Sequence, residues 1–252
     1  MLPLAIVAVT VAGVLGALVL RLRWGELAAA LSSAETLFAL RLSLLTSVAA
    51  LVIALTLGLP AGYLMARRRF PGRALLDTLL DLPLVMPPLV AGLGLLFLFG
   101  RPMLGGPLGA LGIELLFSPA GVVLALAFIA TMVVLRSAMA SFQSVDPGYG
   151  AAARTLGAGA WEVFWRIDLP LAGRGIAAGA LLAWARALGE FGATLIVAGA
   201  TRLRTETLPT AVFLNIATGE TGVAVACALL LLTVALAILL AARALGWRKD
   251  GV

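Results

Sequence analysis

Runs of about twenty apolar residues, most of them ended by arginine, decide what this chain can fold into. A helix rises about 1.5 Å per residue, so roughly 20 apolar residues cross the hydrocarbon of a bilayer. Stretches of that kind occupy residues 2–20, 42–66, 79–99, 120–142, 173–199 and 223–245. Lipid offers the backbone no hydrogen-bond partner, so each stretch must satisfy its own amides as a helix. The expected fold is an all-α integral membrane protein with six transmembrane helices, a single transmembrane domain over residues 1–252. The run at 2–20 has no charged beginning and no clear cleavage site ahead of a soluble domain. It is read as a retained helix rather than a signal peptide.

Composition excludes several kinds of chemistry. Charged residues make up 12% of the chain and hydrophobic ones 62%, whereas about a quarter of a soluble domain is charged. The 18 basic residues outnumber the 12 acidic ones, yet the arginines stand at the ends of apolar runs, as topology signals do, and form no basic face for nucleic acid. With no histidine, the commonest general base and metal ligand is missing. The single cysteine, Cys227, falls inside an apolar run as a packed small residue, so no disulfide forms within the chain. Lys249, the sole lysine, stands three residues from the C-terminus and rules out a Gly-Lys-Ser/Thr phosphate loop. No catalytic residue, metal or cofactor is expected here; if ATP drives this protein, another chain hydrolyses it.

A cytoplasmic N-terminus places Arg67, Arg68, Arg69 and Arg73, then Arg154, Arg166 and Arg174, then Arg243, Arg248 and Lys249 on the inner side. Arg101, Arg202 and Arg204 fall outside. The majority obeys the positive-inside rule, with Arg21 and Arg23 as exceptions, and both termini are expected in the cytoplasm.

A moderately polar interruption at residues 144–171 carries helix signals of its own. Asp146 and Pro147 form a helix start, a side-chain oxygen for orphan amides followed by proline at the first helical position, and Gly157 and Gly159 stop that helix. A second short helix from Ala160 puts Trp161, Phe164 and Trp165 on one face by i, i+3, i+4 spacing. Two readings stay open: an aromatic belt at the headgroups, or a knob of two short helices docked in a partner's groove.

Two spans hold residues unsuited to a plain membrane helix. In the third, Pro83, Pro87 and Pro88 remove backbone donors, which makes a hinged helix lining a pathway; the alternative is a helix starting at Pro87 after a lead-in loop over 81–86. In the fifth, Arg186 and Glu190 stand four apart on one helical face, where a charge costs at least about 2.5 to 3.5 kcal/mol at the bilayer centre. Either the pair is a lock within or between subunits, or Arg186 faces an anion path with Glu190 and Thr194 setting the gate. Gly189 and Gly192 flank it and admit another backbone closely. Arg136 on the fourth helix is expected to snorkel toward the cytoplasm. The polar segment 201–221 is expected at the outer membrane surface, with Arg202, Arg204, Glu206 and Glu220 open to a docking partner.

Ala152, Ala153, Gly157, Ile167, Leu169 and Pro170 follow the spacing Glu-Ala-Ala, three residues, Gly, nine residues, Ile-x-Leu-Pro, with Ala151 in place of the Glu. That spacing resembles the cytoplasmic coupling loop of ABC-importer permeases. The stretches Phe70-Pro-Gly-Arg-Ala-Leu-Leu-Asp77, Asp81-Leu-Pro-Leu-Val-Met-Pro-Pro88, Ala185-Arg-Ala-Leu-Gly-Glu-Phe-Gly-Ala193 and Arg204-Thr-Glu-Thr-Leu-Pro209 resemble permease subunits of molybdate ABC importers, with sulfate/thiosulfate and tungstate permeases as close relatives. The resemblance covers about residues 38–245 and leaves 2–20 as an extra N-terminal helix. It implies a six-helix type I permease whose coupling helices meet an ATPase through Ala152, Ala153, Arg154, Gly157, Trp161, Ile167, Leu169 and Pro170. It also implies a homodimer in the inner membrane, two copies of a cytoplasmic ATPase that uses ATP and Mg, and an extracytoplasmic oxyanion-binding protein. The work implied is inward movement of molybdate, or of tungstate or sulfate/thiosulfate, by alternating access. An ion-coupled secondary transporter would carry an inverted repeat around a midplane ion site, and no such repeat is visible.

Overall fold

The computed structural model describes residues 1–21 and 24–246; Arg23, Arg248 and Lys249, used above for topology, lie outside them. In chain order the helices are α1 (Leu2–Leu20), α2 (Trp24–Ser32), α3 (Ala34–Arg67), α4 (Arg73–Val85), α5 (Pro88–Leu98), α6 (Gly105–Ala110) and α7 (Pro119–Gln143). Then follow α8 (Pro147–Thr155), α9 (Ala160–Val163), a π-helical turn (Phe164–Asp168), α10 (Leu169–Leu188), α11 (Gly192–Ala198), α12 (Leu208–Ala217) and α13 (Thr221–Gly246). Four of these, α1, α3, α7 and α13, are each long and apolar enough to cross a membrane. Two further spans are broken: α4 meets α5 at 113°, and the helix through α10 meets α11 at 60°. Counting each bent pair once gives the six expected spans.

Two boundaries differ from expectation for identifiable reasons. The second span begins at Ala34, ahead of residue 42, because Ser33 caps it by accepting the Thr36 N–H at 3.1 Å and because Glu35 and Arg41 are good helix formers that an apolarity criterion passes over. The fifth span is not one helix. It breaks between Leu188 and Gly192, so Glu190 sits in the break rather than on a continuous face shared with Arg186.

Packing centres on α7, which α3 and α10 flank. The shared core is built from small residues: Ala50 and Ala54 of α3, Ala127, Ala130 and Val134 of α7, Ala183 and Ala187 of α10. Helices in lipid gain little from hiding apolar surface and associate by close backbone approach instead. At Gly62 an added Cβ would stand 2.7 Å from the Leu135 carbonyl oxygen, and at Gly179 it would overlap Ser137. Glycine on both neighbours thus lets α7 be gripped from two sides. Cys227 is fully buried in α13, as expected, with its sulfur 3.9 Å from Thr36 Oγ1. Helix α1 is the opposite case: none of its residues is buried, and it touches α13.

The segment after α11 departs from the sequence reading. Its ends lie on the surface, at residues 201–204 and 216–221, but Thr205, Glu206, Thr207 and Thr210 are buried, and the Leu208 N–H donates to Ser43 Oγ of α3 at 2.8 Å. Its hydroxyls satisfy one another and the turn backbone, Thr210 Oγ1 accepting the Thr207 N–H at 2.7 Å, so a polar stretch can be tucked in.

Candidate functional site

The loop after α7 folds as its local chemistry demands. Asp146 accepts the Gly148 N–H at 2.8 Å and caps α8, with Pro147 at the first position. At the other end Gly157 adopts φ +92°, its N–H reaching the Arg154 carbonyl at 3.0 Å while Ala158 N–H reaches that of Ala153 at 3.0 Å. That pair of bonds is the Schellman stop, which favours glycine because its left-handed residue has no Cβ to clash. Gly159 lets the chain turn into α9.

The aromatics divide between two surroundings. Phe164 turns inward, its ring 4.7 Å from Tyr63 and 6.1 Å from Phe142. Trp161 and Trp165 stay outside at 72% and 49% exposure, their rings 5.5 Å apart, with Leu156 at 89% beside the turn. The π-helical turn Phe164–Asp168 carries the chain from α9 into α10. Among the other expected coupling residues, Ala152, Arg154 and Pro170 are exposed and Ala153 is half-buried. Ile167 is half-buried, and Leu169 packs on the core formed by Ala138, Phe142 and Ile176.

What fixes this knob to the membrane bundle is a network the sequence reading missed. Asp168, the variable position of Ile-x-Leu-Pro, is 4% exposed. It accepts a hydrogen bond from Arg67 at 2.7 Å and one from the Tyr63 hydroxyl at 2.9 Å, and Arg67 also donates to the Val145 carbonyl at 3.1 Å. By its place in the sequence Arg67 is a topology charge; in the fold it is the partner of Asp168. The available signal was a lone acid between apolar residues at a membrane boundary, which requires a partner.

A second network corrects the expectation for Arg136. It does not snorkel; it pairs with Asp77 and, at 2.8 Å, with Asp81, and donates to the Asp77 carbonyl at 2.7 Å. The arginine of α7 thereby holds α4, the arm that precedes the 113° bend. The i, i+4 spacing of Asp77 and Asp81 presents two carboxylates on one face for it to grasp.

The first break is built from the expected prolines, and the second, which was not expected, falls among the residues of the expected gate. Pro87, exposed, ends one arm in an extended conformation, and Pro88 opens α5; residues 81–85 are helical, which removes the lead-in loop alternative. Gly192 is buried, and a Cβ there would stand 2.9 Å from Pro88 Cβ. One at Gly92 would stand 2.9 Å from Ala193 Cα, so the second halves of the two bent spans, α5 and α11, press together. Gly189 is exposed at the end of α10. Arg186 bonds Glu190 at 2.7 Å; the arginine side chain is 46% exposed and the glutamate 1%. Glu190 also accepts the Ala193 N–H at 3.1 Å, capping α11. Thr194 is fully buried and its hydroxyl has no partner.

At the far end of α7 from the coupling loop, a cavity of about 640 Å³ is lined by Arg101, Glu114 and Arg204 among others. Of the charges expected to be open for docking, Arg202 contacts Glu35 at 3.3 Å and Glu206 is 2% exposed. Burial pushes the Glu206 carboxyl above its usual range, helped by Glu35, while Arg202 and a bond from the Leu203 backbone act in the opposite sense.

The chain matches the family of binding-protein-dependent transport system inner membrane components over residues 58–249. It is 40% identical over 235 residues to the molybdenum transport system permease protein ModB of Mycobacterium bovis, covering 92% of this chain and 88% of that relative. To ModB of Escherichia coli strain K12 it is 42% identical over 208 residues, covering 80% and 88%. The fold superposes on a bacterial alginate ABC transporter, solved with its alginate pentasaccharide-bound periplasmic protein, with a TM-score of 0.75 at 17% identity, covering 100% of this chain and 95% of that one. With its apolar spans, two of them broken, and a projecting loop between α7 and α10, this multi-pass membrane chain belongs to the binding-protein-dependent transport system inner membrane components, the permease subunits of ABC transporters.

Proposed function

We propose that this chain forms the transmembrane path of an importer that moves molybdate inward by alternating access. Two copies enclose the path in the inner membrane, each meeting one cytoplasmic ATPase that uses ATP and Mg, while an extracytoplasmic oxyanion-binding protein delivers the cargo. Both termini face the cytoplasm in this reading, which the arginine distribution supports. The observation that carries the proposal is the knob at Leu156, Trp161 and Trp165, apolar, exposed and clamped to α3 through Asp168. Large exposed aromatics on a short rigid element are typical anchors for a partner's pocket. A push on the knob passes through Asp168 and Arg67 into α3 and α7, and from Arg136 into the bent arm at Asp77. The identities of the relatives' cargo favour molybdate, with tungstate and sulfate handled by the same machinery as the alternatives.

The test is uptake of labelled molybdate by vesicles holding the permease, the ATPase and the binding protein, with excess tungstate or sulfate as competitor. Vanadate-sensitive uptake that sulfate leaves intact is expected. Gly157→Trp forces a bulky residue into a positive-φ turn and should abolish uptake while the permease stays inserted and folded. Wild-type uptake by that variant, with normal ATPase co-purification, would refute the docking role of the loop.

A further inference from the structure

Between the inner end of α3 and the coupling helices lies a cavity of about 430 Å³ walled by Tyr63, Arg67, Arg68, Gly150, Arg154 and Asp168. Three of these carry guanidinium groups, which stay charged at any physiological pH. The one acid on the wall is already engaged, since Asp168 accepts from both Arg67 and Tyr63. No carboxylate among the described residues pairs with Arg68 or Arg154. A further donor is left over, because the buried Nε of Arg67 has no acceptor. Gly150 lets Val163 and the Arg154 side chain close in on α8: a Cβ there would stand 3.1 Å from Val163 and 3.7 Å from the Arg154 guanidinium, which lies back over the helix.

We propose that this cavity is a binding site for a tetrahedral phosphate-class oxyanion, carried by an anionic phospholipid headgroup or free in the cytoplasm. Guanidinium forks match the oxygen geometry of phosphate. The volume far exceeds the roughly 30 Å³ share of one water, so a phosphate group enters with part of its hydration or of a glycerol headgroup. The depth is right as well. The apolar run of α3 continues to Ala66 and the arginines follow at once, which sets the cavity at the headgroup level, where basic pockets between helices hold anionic lipids. Bound there, the anion bridges Arg68 at the end of α3 to Arg154 of α8 and holds the coupling loop against the bundle. The site needs no ATPase, so it is testable on the permease alone.

The experiment measures thermal unfolding of the permease in nanodiscs of phosphatidylcholine, with and without phosphatidylglycerol, and in phosphatidylcholine with inorganic phosphate added. A rise of about 2 to 4 °C is expected in one of the two anion arms, and the arm that responds identifies the source. Arg68→Gln should remove at least half of that rise. Arg69→Gln, at the same depth but outside the cavity wall, should keep it. Native mass spectrometry of the wild type supplies a readout independent of any variant's folding: retained phosphatidylglycerol or phosphate, with phosphatidylcholine washed off. No rise in either arm, or an equal loss in both variants, would overturn the site in favour of a diffuse surface charge effect.

Discussion

Glu190 serves two partners at once, and that limits what either Arg186 or Glu190 can be exchanged for. One oxygen holds Arg186 and the other caps α11 at Ala193, with the carboxylate shut away from solvent. Arg186→Met leaves that carboxylate buried with a single N–H, and should cost about 2 kcal/mol, less than the 3–5 kcal/mol of a fully buried pair because the arginine is half-exposed. Combining it with Glu190→Gln should recover most of the loss if the pair is a lock. Thermal stability and oxyanion uptake of both single variants and the double in the same vesicles separate the readings: a stable double variant that transports poorly assigns Arg186 to the anion path. Glu206 behaves differently, being buried outside the spans with one oxygen unpartnered. Its folded-state pKa is raised, so its stabilising contribution is complete below the usual carboxylate value and is lost as pH rises through the folded one. Glu206→Gln should therefore melt with the wild type at pH 4 and above it at pH 8. Equal melting at both would show that the carboxyl is not penalised. Residues of this kind mark where sequence reading stops: Asp168 and Arg67 are 101 positions apart and Arg136 and Asp77 are 59 apart, so each charge is visible but its partner is set by tertiary packing.

The helices were legible to the extent that lipid dictates them. Apolar length located every span, and local signals located the turns of the coupling loop, since Asp146-Pro147 and Gly157 act through backbone geometry within a few residues. Pro87 and Pro88 announced the first bend. The second was hidden, because Arg186 and Glu190 four apart read as one face of a continuous helix, and nothing local says that Glu190 will turn inward to cap a new one. The bends meet where α5 and α11 touch, and two glycines of α5 allow a controlled comparison. Gly92→Ala would push its Cβ to 2.9 Å from the Ala193 backbone and should destabilise by about 1 to 3 kcal/mol, as overpacking does. Gly94→Ala meets nothing within 4 Å and should stabilise by about 0.5 to 1 kcal/mol through helix propensity. Unfolding of both variants in the same detergent checks the contact, and equal shifts would mean that α5 and α11 are not pressed together.

At the scale of the molecule, Arg186 argues against a protomer surrounded by lipid. A side chain 46% exposed at a break in a span is tolerated where water or another protein covers it, and cyclic two-fold symmetry is the commonest way for identical chains to provide that cover. Mass measurement of the permease with its ATPase should find two copies of this chain, and full transport by a single copy would contradict it. The contrast between α7 and α1 carries a different consequence. Glycines on α3 and α10 press against particular atoms of α7, Gly62 against the Leu135 carbonyl and Gly179 against Ser137, so the order of residues along α7 is constrained where they meet. Helix α1 buries nothing, so almost any lipid-like segment of similar length would satisfy it. Over generations of substitution, α1 is free to drift in identity while keeping its average, and α7 has to keep its spelling.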